Sequence, residues 1–204
     1  MSDQVTTVVF DVGRVLFQWD LRYLFGKLIA DPAALEAFVT TVVTPEWHFQ
    51  VDQGRAVAEI VAERIAAFPQ HEALIRAYAA RFVETIPGPV PGSIELVEAL
   101  HARGVPLFAI TNFGAEFWAQ FRPLHPVFDL FGDIVVSGTE NLAKPGAEIY
   151  ALAERRFAVA AERMLFVDDT LSNVEAARGR GWHGHHFRDA AGLERDLRRY
   201  GLLE

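Results

Sequence analysis

Short apolar runs that end abruptly at polar residues are the feature that most constrains this chain. The runs are rich in β-branched and aromatic side chains, which is typical of strands buried in a parallel sheet. The three clearest runs are residues 5–10, 106–110 and 164–167, and they are followed by Asp11, Thr111 and Asp168-Asp169. Because ligands bind at the carboxyl ends of strands in open parallel sheets, we expect these polar side chains to share one site.

A block of helical sequence separates the first of these strands from the others. Within residues 18–87, Asp31 followed by proline predicts a helix start, and apolar residues then recur at the spacing of one helix face. After the proline- and glycine-rich stretch at 87–92, strand and helix patterns alternate. The alternation predicts an α/β fold with a central parallel sheet between layers of helices. We therefore expect an α/β core formed by residues 1–17 and 88–204, with an inserted helical cap at 18–87.

The composition narrows the classes of partner. The 204 residues carry 19 basic and 27 acidic side chains, a formal net charge of −8, which argues against nucleic acid as the main partner. The chain has no cysteines, so disulfides, cysteine-ligated zinc and thiol catalysis are excluded, and a reducing, cytoplasmic location is expected. It has no run of about 18 apolar residues and no signal-peptide pattern, so we expect no membrane partner.

Three aspartates that converge at one edge of a sheet would repel one another and raise their own pKa values. Mg²⁺ would relieve this repulsion, since it binds carboxylates, backbone oxygen, water and phosphate. A phosphate bound there would need a hydroxyl and a cation, which Thr111 and Lys144 offer. Lys144 draws attention because it and Lys27 are the only lysines among the 19 basic residues. A compact ammonium suits a tight site better than a guanidinium does.

Together these residues resemble the four sequence motifs of the haloacid dehalogenase-like (HAD) hydrolase superfamily. The motif positions are residues 10–13, 110–112 and 144–145, and the Asp168-Asp169 pair with Asn173. Their order and approximate spacing match over nearly the whole chain, and the helical block occupies the place of that superfamily's small α-helical cap. The resemblance implies a HAD-like Rossmannoid three-layer core with a central parallel sheet and an inserted α-helical cap.

The resemblance also implies a metal-assisted nucleophile. Asp11 corresponds to the aspartate that attacks phosphorus to form an aspartyl-phosphate, and it is also an expected Mg²⁺ ligand. The backbone carbonyl of Gly13 and the carboxylate of Asp169 are expected to bind the same ion, with Asp168 binding directly or through water. Asn173 is expected to support these groups from behind.

The remaining candidate residues are expected to act on the substrate. Thr111 resembles the hydroxyl that bonds the transferring phosphoryl group, and Lys144 resembles the cation that neutralises nucleophile and phosphate. Asn112 is predicted to contact the substrate. An aromatic and polar cluster breaks the helical pattern of the insertion, and its Trp47 and His48 are predicted to face the site.

Gly13 departs from the pattern of the superfamily's phosphatases. They usually carry a second aspartate at this position, which protonates the leaving oxygen. Three interpretations stay open. The chain is a phosphatase in which water or another group moves the proton, with Asp20 and His48 as candidates by residue type; or it is a metal-independent 2-haloacid dehalogenase; or it is a non-catalytic binder of a phosphorylated ligand.

The adjacent acids Asp168 and Asp169 favour the first interpretation. Dehalogenases of the superfamily use no Mg²⁺ and typically carry Ser-Asn at these positions. Two acids beside Asp11 would instead repel its carboxylate unless a cation neutralised them. We therefore predict an Mg²⁺-dependent phosphatase, a monomer or homodimer, that acts on a small phosphorylated metabolite such as a sugar phosphate.

Overall fold

The computed structural model describes residues 4–204. The chain begins with a strand of the sheet and continues into the helical insertion, the name used below for residues 18–87. The elements of this part are β1 Thr7–Phe10, α1 Leu21–Phe25, α2 Pro32–Thr41, α3 Pro45–Asp52, α4 Val57–Ala67 and α5 Glu72–Ala80, with 3₁₀ turns at Pro69–His71 and Phe82–Thr85.

The rest of the chain alternates between strands and helices, as its sequence pattern predicts. Its elements are α6 Ser93–Ala102, β2 Leu107–Thr111, α7 Ala115–Phe121, β3 Asp133–Val136, α8 Ser137–Glu140, α9 Ala147–Phe157, β4 Met164–Asp168, α10 Leu171–Arg178, β5 His183–His186 and α11 Ala190–Arg199, with 3₁₀ turns at Arg122–Leu124, Pro126–Leu130 and Ala161–Arg163.

The strands of the described residues form one five-stranded parallel sheet in the order β3-β2-β1-β4-β5. The first strand of the chain is therefore the central one. Its last residue, Phe10, pairs with Ala109 of β2 on one side and Val167 of β4 on the other. The residues that follow β1, β2 and β4 consequently lie together at the carboxyl edge of the sheet.

Alternate side chains of the central strand enter two hydrophobic clusters on opposite faces of the sheet. Val8 and Phe10 belong to one cluster with Leu193 of α11, whereas Val9 belongs to the other with Tyr150 of α9. Helices therefore cover the sheet on both faces, which confirms the predicted α/β layering.

Two antiparallel segments carry the chain from the core into the helical insertion and back. The N–H of Gln18 donates to the carbonyl of Gly88, and the N–H of Val90 donates to the carbonyl of Leu16, each at 2.9 Å. Phe38 of α2 packs in the same hydrophobic cluster as one face of the sheet. The helical insertion thus packs against the core.

The aromatic and polar cluster of the insertion forms a helix, so the predicted break in the helical pattern was wrong. Thr44 is the N-cap of α3, and its hydroxyl accepts a hydrogen bond from the N–H of Trp47 at 3.1 Å. Pro45 occupies the first turn, where a missing N–H needs no partner. A proline that suggests a break therefore marks a helix start, and α3 runs on to Asp52.

The helices of the described residues are short. The longest, α4 and α9, have 11 residues each. Within residues 4–204, no helix has the length and apolar character needed to cross a membrane.

Candidate active site

Acidic residues from two neighbouring strand ends meet at the carboxyl edge of the sheet. Asp11 follows β1, and its N–H donates to the carbonyl of Val167 in β4 at 2.8 Å, which fixes the two strand ends side by side. Oxygen atoms of Asp11, Asp168 and Asp169 all lie within 4.8 Å of one another. The structure thus brings together the three carboxylates that the sequence predicts at one site.

The side chain of Lys144 lies between two of these carboxylates and is almost fully buried. Its Nζ is 2.8 Å from Oδ1 of Asp11 and 2.7 Å from Oδ2 of Asp168. Asn112 holds the backbone of Lys144, since its Oδ1 accepts from the Lys144 N–H at 2.9 Å and its Nδ2 donates to the Lys144 carbonyl at 3.0 Å. Asn112 also lines the cavity described below. It therefore holds the backbone of Lys144 and lies at the wall that a bound substrate would contact.

Asp168 is fully buried and accepts hydrogen bonds on both oxygens. Its Oδ1 accepts from the N–H of Thr170 at 2.8 Å and from Nδ2 of Asn173 at 3.0 Å, and its Oδ2 accepts from Nζ of Lys144 at 2.7 Å. Asn173 therefore contacts the carboxylate of Asp168, and it also lines the cavity described below. Asp169, unlike Asp168, lines the cavity as well.

Burial dominates the electrostatics of these groups. Desolvation raises the pKa of Asp11 to about 7, with Asp168 and Asp169 adding to the shift and Lys144 opposing it. Burial alone would lower the pKa of Lys144, but the carboxylates of Asp11 and Asp168 raise it above its ordinary value. Burial, followed by the charge of Asp168, also raises the pKa of Asp169. The three carboxyl groups, when ionised, would therefore carry more negative charge than the single ammonium of Lys144 neutralises.

This donor set fits a hard divalent cation. Asp11, Gly13 and Asp169 line the same cavity. Carboxylate and backbone carbonyl oxygens are ligands that Mg²⁺ prefers, and a nearby cation would lower the raised pKa values of the carboxyl groups. A Cβ on Gly13 would meet no atom within 4 Å, so the space beside this residue is open.

The hydroxyl of Thr111 is buried without a hydrogen-bond partner. Thr111 is 1% exposed, and the two residues that follow it, Asn112 and Phe113, line the cavity while Thr111 does not. An unpaired buried hydroxyl costs about 1–3 kcal/mol. The Thr111 hydroxyl at the end of β2 therefore forms no hydrogen bond within the described residues.

A cavity of about 240 Å³ lies between the carboxyl edge of the sheet and the helical insertion. Asp11, Lys144 and Asp169 line its polar side. Most of its apolar lining comes from aromatic side chains of the core loops and of the insertion. The apolar residues are Val12, Phe17, Trp19, Pro45, Phe49, Phe82, Ile86 and Phe113.

His48 lines this cavity within an aromatic stack. Its ring centroid is 5.1 Å from that of Trp19 and 5.3 Å from that of Phe82, and its Nδ1 is 2.6 Å from the hydroxyl of Tyr78. Burial lowers the pKa of His48 to about 3. The imidazole is therefore neutral at physiological pH and already bonded on one nitrogen.

Trp47 does not reach the cavity, although it was predicted to face the site. Its ring packs 4.8 Å from that of Tyr78, and the guanidinium carbon of Arg64 lies 5.2 Å from its centroid. Neighbouring residues of a helix point about 100° apart. His48 and Trp47 therefore face different surroundings, and Trp47 packs inside the insertion.

Two charged cavity residues were missed by the sequence interpretation. Arg14 directly follows the first motif, its guanidinium carbon lies 5.0 Å from the Trp19 centroid, and its Nη1 is 3.9 Å from Oδ2 of Asp169. Because Arg14 directly follows Gly13, its place beside the first motif could have indicated a residue of the site. Asp52, the last residue of α3, is 5% exposed and lines the cavity from the insertion. No local pattern distinguishes Asp52 from an ordinary turn aspartate.

The family model for haloacid dehalogenase-like hydrolases matches residues 5–181. The chain therefore belongs to this family of hydrolases, as its four motif positions indicate. The sesquiterpene phosphatase astK of Aspergillus oryzae (strain ATCC 42149 / RIB 40) is 28% identical over 203 residues, which cover 97% of this chain and 97% of that protein. Within the family, the chain is a phosphatase-like hydrolase.

Solved structures share the fold. A HAD-like family hydrolase from Porphyromonas gingivalis has a TM-score of 0.74 at 17% identity, over 96% of this chain and 98% of its own. A HAD family enzyme from Bacteroides thetaiotaomicron, in complex with magnesium and inorganic phosphate, has a TM-score of 0.68 at 17% identity, over 91% and 95% of the two chains. These likenesses confirm the predicted HAD-like Rossmannoid core.

Proposed function

We propose that this hydrolase is an Mg²⁺-dependent phosphatase of small phosphomonoesters in which Asp11 is the nucleophile. The observation that carries the proposal is the position of Asp11, whose carboxylate lines the cavity while Lys144 holds it at 2.8 Å. The similarity to a phosphatase along the whole chain supports the reaction class. The structural neighbour bound to magnesium and phosphate supports the choice of ion.

Each residue of the site has a role in this proposal. Bound Mg²⁺ would supply positive charge to the phosphoryl oxygens. Asp11, the carbonyl of Gly13 and Asp169 would hold it, since all three residues line the cavity. Lys144 orients the Asp11 carboxylate and offsets the negative charge that gathers during phosphoryl transfer.

Three buried side chains support these residues. Asp168 fixes the ammonium of Lys144, because both of its oxygens already accept hydrogen bonds inside the protein. The unpaired hydroxyl of Thr111 is available as a donor to a phosphoryl oxygen. Asn173 keeps Asp168 in place.

We further propose that residues 18–87 act as a cap over the site. The helical insertion supplies the far wall of the cavity, including Phe49 and Phe82. A wall of this kind excludes water from the reacting groups and contacts the part of the substrate that leaves.

The proposed substrate carries an apolar organic group rather than a sugar. Sugar hydroxyls would need several partners on the insertion side, where the unpaired buried polar atoms are Oδ1 of Asp52 and Nε1 of Trp19. The other two polar side chains of the insertion at the cavity are bonded within the protein. Gln18 donates to the Pro89 carbonyl at 3.1 Å and accepts from the Tyr23 hydroxyl at 2.9 Å, and His48 is bonded to Tyr78. Unpaired sugar hydroxyls would lose affinity, whereas an alkyl or alkenyl chain would bury apolar surface. The phosphatase astK, by name, acts on a sesquiterpene.

A series of alkyl phosphates tests this function. The leaving alcohols of ethyl, butyl and hexyl phosphate are chemically similar, so the chain length reports on binding to the apolar wall. We expect Mg²⁺-dependent phosphate release, with kcat/KM rising about fourfold per buried methylene, from about 0.8 kcal/mol each, until the cavity is filled.

Three further measurements complete the experiment. Asp11→Asn should release no phosphate from any ester, because the amide is not a nucleophile toward phosphorus. Glucose 6-phosphate should be a poorer substrate than hexyl phosphate, and the reverse order would restore the sugar-phosphate interpretation. Halide release from 2-chloropropionate without metal, and no phosphate release, would establish the dehalogenase alternative instead.

A further inference from the structure

Asp52 comes from the helical insertion but lies at the same cavity as Asp11. It is the last residue of α3 and is 5% exposed. Its Oδ1 is buried without a hydrogen-bond partner. A cavity-lining carboxyl group with an unpaired oxygen is costly to a fold that makes no use of it.

Close packing against the core fixes the position of this carboxyl group. Gly114 follows β2, and a Cβ on it would collide with Val51, the residue before Asp52. Gly54 adopts a φ of +96°, and a Cβ there would collide with the Asn141 side chain. The end of α3 therefore packs directly against two core loops, which fixes the segment of the helix that carries Asp52.

The surroundings of Asp52 favour its protonated form at neutral pH. Burial raises the pKa of Asp52 to about 8, and the charge of Asp11 adds to the shift, while the N–H of Gly114 and the ammonium of Lys144 oppose it. On its own helix, Nε2 of His48 lies 3.5 Å from Oδ1 of Asp52, but burial keeps that imidazole neutral. From α5, Tyr78 also stays neutral, because burial and Asp52 raise its pKa.

We propose that Asp52 is the general acid and base of the reaction, in place of the side chain that Gly13 lacks. The proposal rests on the phosphatase function proposed above. The general acid of this enzyme would thus be supplied by the cap rather than by the loop after β1.

The proton balance closes over the two steps. In the first step, Asp11 attacks phosphorus, the bond from phosphorus to the ester oxygen breaks, and that oxygen takes the proton of Asp52. In the second step, water attacks the aspartyl-phosphate, the ionised Asp52 takes a proton from the water, and the bond from phosphorus to Asp11 breaks. Alcohol and phosphate leave, and both aspartates return to their starting states.

The two residues suggested by type for this role are poorly placed. Asp20 is the N-cap of α1, where its carboxylate accepts from the N–H of Arg22 at 2.8 Å, and it does not line the cavity. His48 lines the cavity, but the low pKa of its imidazole means that the acidic imidazolium form is absent at neutral pH.

The proposal is tested by comparing the hydrolysis of two esters with different leaving groups by the Asp52→Asn variant. An alkoxide leaves only when protonated, so the variant should hydrolyse butyl phosphate about 10²–10⁴-fold more slowly. The p-nitrophenolate ion leaves without a proton. With p-nitrophenyl phosphate we therefore expect a rapid burst of about one p-nitrophenol per active site, followed by slow turnover as the aspartyl-phosphate waits for a base.

Asp31→Asn is the matched control in the same insertion. Asp31 caps α2 on the surface, with its carboxylate accepting from the N–H of Ala34 at 2.7 Å, and asparagine caps a helix equally well. This variant should match the wild type on both substrates. Circular dichroism and Mg²⁺ titration calorimetry should show that Asp52→Asn folds and binds the ion.

The outcomes separate this proposal from the function on which it rests. An Asp52→Asn variant that keeps full activity, or that loses the burst and both turnover rates equally, overturns the role of Asp52 alone. A wild type that hydrolyses neither ester overturns the phosphatase function and the role of Asp52 together.

Discussion

The ammonium nitrogen of Lys144 lies 2.8 Å from Oδ1 of Asp11, with only 1% of the lysine side chain and 10% of the aspartate side chain exposed. Opposite charges held this closely and this far from water depend on each other. Removing one partner leaves the other charge buried and uncompensated, which is far more costly than breaking a surface pair.

Lys144→Met should lose both activity and stability. The substitution keeps the length of the side chain but leaves Asp11 and Asp168 without their cation, so unfolding in urea should show a loss of about 3 kcal/mol or more. Phosphate release should fall to the background. Lys27→Met is the control, since Lys27 is 54% exposed and pairs with Glu84 on the surface, where a pair contributes about 0–1 kcal/mol. Equal losses in the two variants would contradict the assignment.

Removal of the metal should stop turnover and lower thermal stability. Excess EDTA should abolish phosphate release, and added Mg²⁺ should restore it and raise the melting temperature, because an ion at 100 times its Kd stabilises the folded state by about 2.7 kcal/mol. Asp169→Asn should weaken both effects. Asp129→Asn, which changes a carboxylate paired with Arg122 on the surface, should weaken neither. Undiminished turnover in EDTA would exclude the metal-dependent mechanism.

Gly13→Asp should still bind Mg²⁺, within about tenfold of the wild-type affinity measured by calorimetry. The expected ligand at this position is the backbone carbonyl, and the added Cβ has open space around it. One tenfold step in affinity corresponds to about 1.4 kcal/mol. Gly114→Ala provides the contrast, because its Cβ would collide with Val51 and should destabilise the fold. Loss of Mg²⁺ binding in a folded Gly13→Asp would argue against the carbonyl as a ligand.

Thr111→Val should lower the activity of the protein without lowering its stability. Valine has nearly the shape of threonine and removes a hydroxyl that is buried without a partner, so the free energy of unfolding should stay the same or rise. Loss of a donor to the phosphoryl group should lower kcat about 10²-fold. Thr85→Val serves as the control, since the Thr85 hydroxyl donates to the Phe82 carbonyl at 2.7 Å and its loss should destabilise the protein. An unchanged kcat in Thr111→Val would remove Thr111 from the mechanism.

Asp52 should make the protein less stable as the pH rises. In the unfolded chain it ionises near the ordinary pKa of 3.8, whereas burial holds its pKa in the folded protein at about 8. Between these values the folded state binds the extra proton, so the free energy of unfolding contributed by Asp52 falls with increasing pH, by up to about 1.4 kcal/mol per unit. Asp52→Asn should therefore gain stability relative to the wild type between pH 5 and pH 8, as measured by urea unfolding. Parallel pH profiles would show that Asp52 is ionised in the folded state.

The main features of the fold could be predicted from local sequence patterns. Runs such as residues 164–167 are apolar over their whole length, and a strand covered by helices on both faces needs that pattern. Polar residues directly after such runs must meet at one edge of a parallel sheet, so Asp11, Asp168 and Asp169 could be grouped in advance. The start of α3 was missed because Pro45 suggests a break in isolation, although with Thr44 before it the same proline starts a helix.

Local patterns were therefore enough to predict the parallel sheet, the helical insertion and the motif positions around Asp11, because strand and helix periodicity are properties of neighbouring residues. Which side chains complete the cavity depends instead on contacts between segments that are distant along the chain. Asp52 and Phe82 reach it because the insertion folds back onto the core, while Trp47, next to His48, turns away from it. A carboxyl group acquires its raised pKa from burial and from charges distant in the sequence, so no local pattern around Asp52 could indicate its chemistry.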